Sequence, residues 1–167
     1  VGTMLPPDYQ HGVGTLLAVL KREGHEVALI YAHDEYDRET LVAEAREFNP
    51  GLLAVSSVTN QFERASRYAG WVREALGIPT AVGGTHATMM PRETLANHPF
   101  DYLVVGEGEG ALADLVRALG EGSDPSDIMN LWMEKGGEII ENPLRPLIED
   151  LDSLPFVDRE SFRFENI

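Results

Sequence analysis

Four short stretches of the chain combine glycine with hydroxyl, carboxyl or imidazole groups: His11-Gly12-Val13-Gly14, Ser56-Ser57-Val58-Thr59, Gly83-Gly84-Thr85-His86 and Gly106-Glu107-Gly108-Glu109. Glycine lets a bulky ligand approach the backbone without meeting a Cβ, and hydroxyls with helix-start amides hold phosphate or amide groups. Titratable groups are not concentrated in these stretches, as an acid–base pocket would require. The pattern suits a large, flat ligand with a polar rim. Taken singly, each stretch also has a purely structural reading. Gly12-Val13-Gly14 opens like a dinucleotide fingerprint, but Leu17 stands where the third glycine belongs. Gly83-Gly84 alone reads equally as a strand-to-helix turn, and Asn60 reads as the cap of the helix that follows it. Glu107 and Glu109 suit a helix N-terminus, where the backbone dipole favours acidic residues. His25, His33 and His98 read as surface or turn residues, whereas His11 and His86 fall inside the stretches themselves.

The elements that must position these stretches follow from periodicity. Val27–Tyr31, Leu52–Ser56, Thr80–Gly83 and Tyr102–Val105 are continuous apolar runs, as expected of strands covered on both faces of a parallel sheet. Between them, Val13/Leu16/Leu17/Leu20, Leu41/Ala45/Phe48, Phe62/Ala65/Ala69/Val72/Leu76 and Leu112/Leu115/Val116/Leu119 keep helical spacing. Gly24, Pro50-Gly51 and Gly77 mark where the first three helices stop. With Val1–Leu5 as a first strand, strands and helices alternate five times, and right-handed crossovers make that a doubly wound three-layer sandwich. Ligands of such sheets sit at the carboxyl ends of the strands, where all four stretches fall. Past Gly120 the rhythm changes. Leu131–Glu134 and Glu138–Glu141 flank Lys135-Gly136-Gly137, a hairpin signal, and the proline-punctuated segment after Pro143 reads as an extended connector.

The combination is more specific than its parts. Ser56-Ser57-Val58 followed by Gly83-Gly84 resembles the Ser-x-Leu and Gly-Gly elements of cobalamin-binding domains, as in methylmalonyl-CoA mutase and methionine synthase. The chain is still more similar to the cobalamin-binding domain that precedes the barrel of cobalamin-dependent radical SAM enzymes. It carries Pro6-Pro7, Gly24-His25-Glu26-Val27, Gly83-Gly84-Thr85-His86-Ala87-Thr88 and Asp101-Tyr102-Leu103-Val104-Val105-Gly106-Glu107-Gly108-Glu109 in the order of that family. The segment from Ile148 to Asp158 looks like the linker entering that barrel. The resemblance implies a flavodoxin-like (Rossmann-like) five-stranded parallel sheet, order 2-1-3-4-5, with a small C-terminal hairpin. It implies a cobalamin-binding domain over residues 1–122, a hairpin appendage over 123–143 and a linker over 144–167.

By that resemblance, Ser56, Ser57, Val58 and Thr59 line the nucleotide tail or corrin edge. Gly83 and Gly84 let the tail pass against backbone, with Thr85 and His86 at the rim. Gly106, Glu107, Gly108 and Glu109 meet corrin amides or the ribose and base. His11, Gly12 and Gly14 keep the His-x-x-Gly part of the mutase lower-ligand motif, but Asp8 sits one residue too far from His11. A second-shell carboxylate fixes the tautomer and basicity of a ligating imidazole. Ligation of cobalt by His11 is therefore left open, and no other metal ligand is expected. In the parent, a [4Fe-4S] cluster and S-adenosylmethionine are implied, for methyl transfer or a cyclase-type radical reaction. With no cysteine, these 167 residues cannot hold the cluster, so they are expected to be non-catalytic on their own.

Composition narrows the field further. Thirteen basic against 28 acidic residues give a net charge of −15, which repels nucleic-acid phosphates and anionic lipid. No apolar run approaches the roughly 20 residues that span a bilayer, and a cytoplasmic location is expected. The chain opens on Val1 without a signal peptide and is read as a piece of a longer protein whose barrel is its partner. Three other readings share the fold class. An FMN-binding flavodoxin module needs a hydroxyl-rich first loop, where Pro6-Pro7 and His11 stand instead. A receiver domain needs an aspartate where Ser56-Ser57 stands. A cobalamin-sensing regulator would carry a helical cap, of which the chain has no trace.

Overall fold

Side chains that alternate along the central strands build two cores, one on each face of a sheet. The computed structural model describes residues 2–3, 11–31 and 37–162. Five strands are parallel: β1 (Gly2–Thr3), β2 (Ile30–Tyr31), β3 (Leu53–Ser56), β4 (Thr80–Gly83) and β5 (Tyr102–Val104). Their order across the sheet is 2-1-3-4-5. Leu53, Val55, Val82 and Leu103 point to one face, where they pack under α2 (Arg38–Phe48) and α3 (Phe62–Leu76). Ala54, Ala81 and Val104 point to the other, under α1 (His11–Arg22) and α6 (Glu109–Glu121). The period-2 alternation of strands assigns these faces, and burial on both explains the continuous apolar runs.

Helix ends follow the local chemistry. Asp37 caps α2, its carboxylate accepting from the Thr40 backbone N–H at 2.9 Å. Asn49 in the left-handed region closes α2, and Gly77 closes α3. The β4–β5 crossover is two short helices, α4 (Thr85–Met89) and α5 (Pro91–Asn97), because Pro91 can start a helix but not continue one.

The C-terminal third differs from the expectation in two ways. The hairpin, β6 (Leu131–Lys135) and β7 (Glu138–Glu141), is not set apart. β6 pairs antiparallel with β5, so the same sheet grows to seven strands. Gly136 and Gly137 both take positive φ, the geometry of a two-residue hairpin turn. The segment read as an extended connector is docked: it runs back over α6 and α1. Arg145 pairs with Asp114, Arg22 donates to the Ser153 carbonyl at 2.8 Å, and Lys21 pairs with Asp158 at 2.7 Å. The Asp158 N–H reaches the Gly14 carbonyl at 3.1 Å, and buried Phe162 packs on Val13 and Leu17. Leu147 and Phe156, by contrast, stand 74% and 98% exposed. No helix among the described residues is long and apolar enough to cross a membrane.

Candidate functional site

Strand register sets the site before any side chain does. Thr3 lies beside Ser56 and Ser56 beside Gly83, so the carboxyl ends of β1, β3 and β4 form one edge. The turns that leave β3 and β4 there are in direct backbone contact. The Ser57 N–H donates to the Gly83 carbonyl at 3.2 Å, and the His86 N–H donates to the Ser57 carbonyl at 3.3 Å. Gly84 makes this possible. Its φ is +92° with ψ −174°, and a Cβ added there would lie 2.7 Å from the Ser57 carbonyl oxygen and 2.9 Å from its nitrogen. That backbone region is essentially reserved for glycine. Gly83 differs: a Cβ there would meet the Val104 Cβ at 3.8 Å and the Val104 carbonyl oxygen at 3.9 Å, both ordinary contacts. Nothing among the described residues demands glycine at position 83.

Above these turns lies an aromatic stack. The His86 ring stacks on Phe62, centroids 3.8 Å apart, while His98 meets the same ring edge-on at 4.6 Å. Phe62 is buried, Nδ1 of His98 lies 2.9 Å from Ser66 Oγ, and Nδ1 of His86 lies 3.3 Å from Thr59 Oγ1. Burial, helped by the nearby His98, pushes the His86 imidazole below its ordinary value, so it is neutral at pH 7. Ser57 is buried with its hydroxyl on the Val58 carbonyl, whereas Val58 and Thr59 are exposed. Asn60 does not cap α3. A 3-10 turn, Thr59–Gln61, leads into that helix, whose start has no side-chain cap bond.

The turn after β5 completes the edge. Gly106 has φ +79°, and its N–H donates to Thr88 Oγ1 at 3.0 Å, joining this turn to α4. One carboxylate oxygen of Glu109, at the start of α6, is buried with no hydrogen-bond partner. Glu107 reaches outward, its Oε2 accepting the Ile148 N–H at 3.0 Å. Asn130 was not singled out by sequence. It is 3% exposed and lies beneath the turn, its Nδ2 donating to the Val105 carbonyl at 2.7 Å. Its one local signal is an asparagine just before the hairpin, since asparagine tolerates the positive φ, here 69°, found at that place.

The family model described as "B12 binding domain" matches residues 9–116. The chain belongs to that family. An uncharacterised methyltransferase of Pyrococcus horikoshii is 30% identical over 161 residues, covering 93% of this chain and 34% of that relative. An anaerobic magnesium-protoporphyrin IX monomethyl ester cyclase of Cereibacter sphaeroides is 32% identical over 152 residues, 85% of this chain and 24% of the relative. The chain thus spans about a quarter to a third of the length of these relatives. Among solved structures, the radical S-adenosylmethionine methyltransferase TsrM of Kitasatospora setae, with cobalamin and a [4Fe-4S] cluster bound, superposes with TM-score 0.73. The match has 20% identity and covers 92% of this chain and 30% of TsrM. The cobalamin-dependent radical enzyme OxsB superposes with TM-score 0.75 at 18% identity, covering 87% of this chain and 22% of OxsB. The fold is the same as theirs.

A B12-binding domain must offer its cofactor a face with few Cβ atoms and scattered polar partners, and the edge described above fits. Ser56, Ser57, Val58, Thr59, Gly83, Gly84, Thr85 and His86 are brought together by backbone contact and side-chain stacking. Gly106, Glu107, Gly108 and Glu109 join them through Thr88. Gly108 has its own packing reason, since a Cβ there would lie 3.3 Å from a Leu16 methyl group. His11, Gly12 and Gly14 form the first turn of α1, with His11 and Gly12 exposed and Gly14 buried. The rest of the first loop, including Pro6-Pro7 and Asp8, and also His33, lies outside the described residues. His98 serves the Phe62 stack beside His86.

Proposed function

We propose that this B12-binding domain is the cobalamin-holding part of a longer radical SAM enzyme of the methyltransferase or cyclase type, working in the cytoplasm with a barrel in the same parent chain. The carrying observation is the Gly84 contact, which closes the β3 and β4 turns into one side-chain-poor surface at the carboxyl edge. On this reading Ser56, Ser57, Val58 and Thr59 line one side of the cofactor, and Gly83 and Gly84 leave room for its nucleotide arm. Thr85 and neutral His86 stand at the rim, where an uncharged imidazole can donate or accept toward amides. Gly106, Glu107, Gly108 and Glu109 face the opposite side. The unpartnered Glu109 oxygen is suited to accept from a corrin amide, because a buried acceptor without a donor is costly. Gly12 leaves space beside His11 at the start of α1, and Gly14 is buried. Cobalamin supplies a cobalt centre able to carry a methyl group or an electron. The chain's own residues bind it, orient it and shield one edge from water.

The test is direct. Purified protein mixed with hydroxocobalamin is expected to keep the corrin absorbance through desalting, and complete loss of colour overturns the binding assignment. Binding of FMN instead would favour a flavodoxin module. His11→Ala decides the lower face. A spectrum unchanged from the parent removes His11 as a cobalt ligand and leaves binding intact. A three-cysteine motif is expected in the rest of the parent chain, and a parent without one does not catalyse radical SAM chemistry.

A further inference from the structure

Asn130 does more than end a turn. Its backbone carbonyl accepts the Val105 N–H at 2.9 Å, while its Nδ2 donates to the Val105 carbonyl at 2.7 Å and to the Glu107 carbonyl at 3.2 Å. Its Oδ1 accepts the Arg145 N–H at 2.5 Å. A single buried side-chain amide therefore holds two carbonyls of the β5–α6 turn on one side and the chain leaving the domain on the other. Glu107 repeats the link from the opposite direction, accepting the Ile148 N–H. Arg145 is also tied down, its guanidinium pairing with Asp114 on α6. No other side-chain type fits both demands. Aspartate has no N–H to give the two carbonyls, and most L-residues resist the left-handed backbone at this position.

We propose that Asn130 is the positioning residue that shapes the Val105–Gly108 turn for cobalamin and couples that turn to the Pro143–Ile148 segment. The proposal rests on the reading of this edge as the cobalamin site. Asn130 touches no cofactor; it acts through the turn. Without its two donors, the buried carbonyl of Val105 and the part-buried carbonyl of Glu107 lose their partner, and the turn relaxes away from the form that receives the ligand. A ligand seated on the turn is in consequence felt by the Ile148 amide, held by Glu107 of the turn, and by the Arg145 amide, held by Asn130.

Two variants separate the arms. Asn130→Asp keeps the acceptor for Arg145 but faces the two turn carbonyls with a carboxylate. Asn130→Gly removes the whole side chain while suiting the positive φ. Both are expected to bind hydroxocobalamin at least about tenfold more weakly than the parent, the scale expected for one orphaned buried acceptor. Val72→Ala, a core change on α3 that lowers stability without touching the edge, is the control and is expected to bind as the parent does. In the parent, hydroxocobalamin is expected to slow hydrogen exchange of the Arg145 and Ile148 amides by at least about threefold, and not to do so in Asn130→Gly. Should either variant fail to fold, exchange in the parent decides. Variants that bind within twofold of the parent, or strap amides indifferent to the ligand, overturn the proposal. A parent that holds no hydroxocobalamin at all overturns the cobalamin assignment, and this inference falls with it; parental binding with unaltered variants overturns this inference alone.

Discussion

The two ends of the parallel sheet are built on opposite principles. At the amino end, side chains close the structure. Asp101 Oδ2 accepts the buried Thr80 N–H at 2.8 Å, Oδ1 pairs with Arg73 at 2.5 Å, and the Thr80 hydroxyl sits 2.6 Å from the Pro99 carbonyl. Strand, helix and loop are locked by groups that satisfy one another. At the carboxyl end, backbone meets backbone: Gly84 lets two turns touch, Gly106 turns at positive φ, and one Glu109 oxygen is left without a partner. One end uses its polar groups on itself and is finished. The other keeps space and acceptors in reserve, which is what a ligand-binding edge requires.

This contrast can be broken by substitution. The largest effect is expected from Gly84→Ala. A disallowed backbone region and a Cβ under 3 Å from Ser57 together cost about 3 kcal/mol of stability. Denaturant midpoints measure it, and hydroxocobalamin retention should vanish as well; a variant as stable as the parent would mean the two turns do not touch. Next comes Asp101→Ala at the amino end, expected to cost about 2 kcal/mol by leaving the Thr80 N–H unpartnered. Its affinity for hydroxocobalamin should stay that of the parent, and a matching loss of affinity would erase the distinction between the ends.

Gly83→Ala sharpens the comparison from the other side. The new methyl has ordinary space, so stability should change by less than about 1 kcal/mol. Binding should nevertheless weaken if, as proposed, the nucleotide arm passes over this position. Unchanged binding would show that the arm runs elsewhere.

The smallest effect is one of pH. His86 in the folded protein takes up a proton less readily than in the unfolded chain, since burial and His98 oppose its charge more than Glu93 and Glu63 favour it. The unfolded state thus binds more protons near the ordinary value of 6.5. Stability from this group is complete above that value and declines as pH falls below it. Urea midpoints at pH 7.5 and 5.5 should differ less in His86→Gln than in the parent, and equal differences would remove His86 from the account.

Much of this was legible in residue order. Period and punctuation place the strands, the helices and the Gly136-Gly137 turn because those signals are local. The edge stretches were legible because glycine beside hydroxyl and carboxyl residues is a local pattern too. The β4–β5 crossover was not resolved into two helices, although Pro91 marks the break. Asn130 was passed over because its importance lies in partners 23 to 25 positions away in the chain. The same holds for Phe62, which looks like any apolar residue of an amphipathic helix until two histidines meet its ring.

The residue order by itself determined the alternating architecture, the family and the set of turns that gather at one edge, because each depends on spacing within a few residues or a motif read along the chain. Only the tertiary structure decided that Gly84 is compulsory while Gly83 meets no close contact among the described residues. It alone merged the hairpin into the sheet and laid the C-terminal segment across α1 and α6. Those outcomes depend on distances between atoms far apart in the chain, and folding, not composition, sets such distances.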